Sequence, residues 1–137
     1  MKTDNELIAE FMGFFAFETS IQGFSIYKLL DSNGNPIHPY YGPFNQNTMR
    51  FDKSWDWIMP VVEKIESIYD DHHGYFTVHI HSNACDIQGT NLWKAIEPES
   101  IYGDVYMSDP NAIFNTKIES TYYNVVQFIK WYNGQKA

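Results

Sequence analysis

The residues with the most chemistry in them lie close together: His72, His73, His79, His81, Cys85 and Asp86. His79 and His81 alternate with Val78 and Ile80, so on a regular strand their side chains share one face, with Cα atoms about 7 Å apart. Two imidazoles placed this way could share a Zn²⁺ or similar ion if a third ligand arrived. Cys85 or Asp70 would serve only if the chain folded back suitably. The plainer reading puts both histidines on the polar side of a strand. Cys85 beside a histidine could also act as nucleophile and base. A lone cysteine after Ala84, however, is the pattern of a small buried residue.

Other constellations are weaker. Asp31, Asn33 and Asn35 alternate like calcium-loop ligands, but the template fails beyond them. Glycine stands at the fourth place, Pro36 follows, and Gly42 sits where the bidentate Glu belongs. Asn33-Gly34 is better used as a tight hairpin turn. Asp70-Asp71 and Glu97/Glu99 could do acid–base work, yet they lie beside Gly or Pro, where solvated loop charges suffice. Ser20, Ser54 and Ser82 lack nucleophile-elbow glycines, and the dispersed glycines form no phosphate-binding loop.

These residues need a frame. A chain of 137 residues with 44% apolar content suits a single domain over residues 1–137 with its own core. Ten Phe, ten Tyr and four Trp supply large side chains to fill it. The net charge of −8 and the lack of a Lys/Arg run disfavour binding to nucleic acid. A basic protein surface is the more natural partner. Met1-Lys-Thr-Asp-Asn-Glu6 has no secretory pattern, and the aromatic run Phe11–Phe17 is too short for a bilayer, so the expectation is a cytoplasmic protein without membrane attachment. A single cysteine allows no internal disulfide.

The central element is Ser54-Trp-Asp-Trp-Ile-Met-Pro-Val-Val-Glu-Lys-Ile-Glu-Ser-Ile-Tyr69. Trp55, Ile58/Met59, Val62, Ile65 and Tyr69 recur at helical spacing and predict a buried stripe. Ser54 is the expected N-cap, and Pro60 should distort the first turn. A first helix is expected over Thr3–Met12, where Thr3 and Glu6 have capping-box spacing and Gly13 is the stop. A last helix should follow Thr116, with Ile118, Tyr122, Val125, Ile129 and Tyr132 inward and Asn133-Gly134 at its end.

Phe24–Leu30 reads as a strand, returning through Pro36–Tyr41 as at best an edge strand. Phe14–Phe17 is a strand or a linker. Tyr75–His81 is the clearest strand, with Phe76, Val78 and Ile80 inward. Ser82-Asn83 is a turn or bulge before Ala84–Gln88. Asn91–Ile96 has no assigned type, Glu97-Pro98-Glu99 breaks it, and Ile101–Met107 is a candidate strand before the Asp109-Pro110 loop. The Tyr40-Tyr41 loop is the most exposed aromatic candidate. Together the pieces predict an α+β fold, with a mixed or antiparallel sheet layered with three helices.

Three blocks also carry a resemblance: Asn5-Glu-Leu-Ile-Ala-Glu-Phe-Met-Gly13, Ser54 to Glu66, and Lys117-Ile-Glu-Ser-Thr-Tyr-Tyr-Asn-Val-Val-Gln-Phe-Ile-Lys-Trp-Tyr-Asn133. They resemble small proteins of phages and gut Bacteroidetes related to the phage ABA sandwich domain. The resemblance covers the helices and leaves Tyr75–Asp109 unmatched. It implies a sheet between helical layers and a prophage or mobile-element origin, and supplies no reaction or functional residues. The resulting expectation is a phage-related accessory protein, a non-catalytic protein-interaction domain with no cofactor. The alternatives are a metal-binding protein using His79 and His81, and self-assembly through Tyr40–Phe44 or an edge strand.

Overall fold

The structure, a computed structural model, describes residues 2–21, 24–81, 84–89 and 116–136. Its class is α+β, with three helices and two small antiparallel sheets among those residues. One sheet holds two of the described strands and the other holds three. The chain divides into two compact units, Met1–Ile58 and Met59–Ala137.

The first unit begins with α1 (Asp4–Phe11). Its capping box is complete: the Thr3 hydroxyl accepts from the Glu6 amide, and the Glu6 carboxylate accepts from the Thr3 amide. Its exit is a Schellman motif. Phe14 N–H donates to the Ala9 carbonyl and Gly13 N–H to the Glu10 carbonyl, with Gly13 at φ +91°. Strand β1 (Phe15–Ile21) follows and pairs with β2 (Phe24–Lys28), with a register irregularity between Phe17 and Ile21. The Phe14–Phe17 run is thus mostly strand.

Asp31 organises the next turn. Its carboxylate accepts from the Asn33 and Asn35 amides, Gly34 takes φ +83°, and Leu30 bridges to Pro36. These contacts hold a turn with the chain's own amides. The return segment makes one isolated bridge, Leu30 to Pro36, rather than a strand, in keeping with its prolines.

Trp57 is the centre of this unit's core. Its ring stands edge-on to Tyr40, Phe44 and Phe51 at centroid distances of 4.9, 4.6 and 5.0 Å. Phe14 meets Tyr40 at 5.2 Å, and the buried Tyr40 hydroxyl donates to the Trp57 carbonyl at 2.6 Å. Edge-to-face pairs of this kind add to the area each ring buries. The expectation for the Tyr40-Tyr41 loop is therefore half corrected: Tyr40 is core, while Tyr41 is exposed.

Helix α2 spans Trp55–Ser67. The Ser54 carbonyl accepts from Trp57 and Ile58, starting the ladder. The helix continues through Pro60, whose missing N–H would have met the carbonyl of exposed Asp56, a position open to water. The buried stripe is Trp57, Ile58, Val61, Val62 and Ile65. Trp55 and Met59, expected inward, are exposed, so the stripe is rotated from the predicted one. Tyr69, expected on the helix, lies instead in a strand.

In the second unit β3 (Tyr69–Asp70), β4 (Gly74–His81) and β5 (Ala84–Gly89) form a sheet in that order. Helix α3 (Lys117–Lys136) packs on β5 and β4. Thr116 caps it, accepting from the Glu119 amide. The helix runs through Asn133-Gly134 rather than stopping there. Val125, Val126, Phe128 and Ile129 are fully buried, and Phe128 meets Phe76 edge-on at 4.9 Å.

The expectations for Ser82-Asn83, Asn91–Ile96, Glu97-Pro98-Glu99, Ile101–Met107 and Asp109-Pro110 lie outside the described residues.

Candidate functional site

The histidine-bearing segment is β4, which pairs with β3 at its start and with β5 from Phe76 to His81. At its start Asp70 pairs with Gly74, and the turn between them is built on the Asp70 carboxylate. One oxygen accepts from the backbone N–H groups of His72 and His73, at 2.8 and 2.9 Å, and lies 3.0 Å from His73 Nδ1. Burial pushes this carboxyl up. The amides of His73 and His72 and the His73 ring outweigh it and hold the acid below its ordinary value. Gly74 closes the turn at φ +76°.

His73 is therefore structural. Its ring stands edge-on to Trp131 at 5.3 Å and lies against Phe76. Its backbone presses on Gly89 so closely that a Cβ there would sit 2.8 Å from the His73 carbonyl oxygen.

The pairing of β4 with β5 then sorts the remaining residues. Val78 pairs with Ile87, His79 with Asp86, Ile80 with Cys85 and His81 with Ala84. Opposite residues of an antiparallel pair share a face. One face carries Phe76, Val78, Ile80, Cys85 and Ile87, of which Phe76, Cys85 and Ile87 are buried. The other carries Tyr75, Thr77, His79, His81, Ala84, Asp86 and Gln88, with Tyr75 and both histidines exposed. Tyr69, paired with Tyr75, adds a second exposed ring edge-on at 5.3 Å. On β4's outer edge the Val78 N–H donates to the Glu66 carboxylate of α2 at 3.1 Å.

This arrangement separates two groups that the sequence left together. His79 and His81 share a face, as their alternation predicts. Cys85 lies on the opposite face and cannot join them. Burial pushes its thiol up to about 12; the Asp86 charge adds to the rise, and a hydrogen bond with Thr121 offsets part of it. A thiol so protonated at neutral pH is neither nucleophile nor ready ligand. Asp70 is spent on its own turn.

The residue that sequence reasoning undervalued is Asp86. It is the cross-strand partner of His79, and its Oδ2 lies 3.8 Å from His81 Nε2. Its Oδ1 is buried and has no hydrogen-bond partner among the described residues. In the conformation seen, no three His, Cys, Asp or Glu side chains among the described residues stand close enough to hold a metal ion.

Two further polar sites are built for structure. On α3, Ser120, Thr121 and Asn124 are fully buried; the hydroxyls bond the Lys117 carbonyl and the Asn124 amide bonds the Ser120 carbonyl. In the first unit the Tyr27 hydroxyl donates to Glu6 at 2.6 Å. Burial and this bond push the Tyr27 phenol well above its ordinary range. Burial also raises Glu6, but the bonds from Tyr27 and Thr3 and the charge of Lys2 together hold it lower. No described helix is long and apolar enough to cross a membrane. Comparison with known protein families, with curated proteins and with solved structures finds no match to this chain.

Proposed function

We propose that this protein is a non-catalytic interaction domain, an accessory protein of phage or prophage type, and that it docks through the outer face of β3 and β4. The observation that carries the reading is the Tyr69/Tyr75 pair, two exposed rings packed edge-on against each other on a strand face whose reverse side is core. A tyrosine offers large contact area with few torsions to freeze, and such rings are common anchors of interfaces. Thr77, His79 and His81 continue the same face with polar groups. The chain's net charge of −8 favours a cationic protein segment as the occupant.

Among the described residues, none of the displaced titrating groups moves toward neutrality. Acid–base chemistry wants groups tuned toward the working pH. Here Glu6 and Asp70 are held low while Tyr27 and Cys85 are pushed high, each away from neutrality. The likeness of the three helical blocks to phage sandwich domains supports the accessory role.

The test is affinity capture from host lysate with the wild-type chain and a Tyr69→Ser/Tyr75→Ser variant, beside a broad hydrolase and transferase screen. A partner retained by wild type and lost by the variant is the expected result. Equal retention by both, or turnover in the screen, overturns the proposal.

A further inference from the structure

His79, His81 and Asp86 form a triangle set by backbone register rather than by chance contact. The histidines are two residues apart on one face of β4, and Asp86 faces His79 from β5. The Asp86 carboxylate already leans toward His81, with Oδ2 3.8 Å from Nε2. Its other oxygen is buried without a hydrogen-bond donor among the described residues. A carboxylate oxygen without a donor is costly, and a cation bound to the carboxylate would offset that cost.

We infer that His79, His81 and Asp86 are the protein ligands of a divalent transition-metal ion of the zinc type, with water completing its shell. Two imidazoles and one carboxylate suit zinc and its neighbours, whereas magnesium and calcium prefer oxygen alone. Tetrahedral zinc with bonds of about 2.0–2.1 Å places adjacent donor atoms about 3.3 Å apart. The His81–Asp86 spacing is thus close to that of two adjacent ligands. His79 must join by side-chain rotation, for which the exposure of both histidines leaves room. His79 and His81 lie on the docking face itself, but metal uptake needs no protein partner, so its failure would leave the docking reading untouched.

The test is calorimetric titration of the untagged chain with Zn²⁺ near neutral pH, repeated with Co²⁺ to read the coordination from its visible spectrum. One ion per chain is expected. His81→Ala and Asp86→Asn should each weaken binding by at least about tenfold, since even residues that only support a ligand cost that much. His72→Ala should leave binding unchanged. A measurement on the unmutated chain guards against variants that disturb the hairpin: Zn²⁺ should protect His79 and His81, but not His72, from carbethoxylation. No uptake at millimolar zinc, uptake indifferent to Asp86→Asn, or protection centred on other histidines would each overturn the assignment.

Discussion

Gly89→Ala is the sharpest probe of how the hairpin is assembled. The new Cβ would lie 2.8 Å from both the Cβ and the carbonyl oxygen of His73, and 3.3 Å from its Cα. Two of these three atoms belong to the backbone, so the clash cannot be relieved by turning a side chain. The turn itself must move, and Asp70 holds it through the His72 and His73 amides. Overpacking of this kind costs about 1–3 kcal/mol. Removing glycine's extra freedom from the unfolded chain returns up to about 1 kcal/mol. The net expectation is a loss of about 1–2 kcal/mol, or a urea midpoint lowered by roughly 1 M at a slope of about 1–3 kcal/mol per M. Gly134→Ala is the matched control. It lies inside α3, where an added Cβ meets nothing within 4 Å, so it should stabilise by about 0.5–1 kcal/mol. Urea melts followed by tryptophan fluorescence would read both, because Trp131 abuts His73. If Gly89→Ala is neutral while Gly134→Ala is the damaging change, the account of this turn is wrong.

Two more outcomes follow from the perturbed groups. The Asp70 carboxyl is lower in the folded chain than its ordinary 3.8, so its stabilising share is complete above about pH 4 and is lost as pH falls through the folded value; thermal melts across this acid range should fall more steeply for wild type than for Asp70→Asn. Cys85, fully buried with its thiol pushed up to about 12, should resist a thiol-specific reagent in the native state at pH 8 and react at once in denaturant; rapid native labelling would contradict its placement.

Local signals were the readable ones. Thr3 and Glu6 announce a capping box, Gly13 a helix stop, and the β4 alternation a two-faced strand; each needs only a few neighbouring residues, and each appears in the structure. What needed distant partners was hidden. Trp55 and Trp57 are equally apolar, and only the aromatic ring set of Tyr40, Phe44 and Phe51 decides that Trp57 turns inward. Ser120, Thr121 and Asn124 carry no local sign of burial, yet they are buried with their side chains returned to carbonyls of their own helix. In the candidate site the shared face of His79 and His81 was legible from spacing alone. The opposition of Asp86 and the exclusion of Cys85 were not, because a single-residue change of register across β4 and β5 would exchange them.

The bond from Val78 to Glu66 reaches beyond the molecule itself. Among the described residues β3 covers only the first two positions of β4, and a bare row of amides further along would invite a strand from another copy. An anionic side chain from a helix takes one of those amides. An incoming carbonyl would have to displace it and then lie beside its negative charge. The charge that guards this stretch of edge thus comes from α2 rather than from the strand's own sequence.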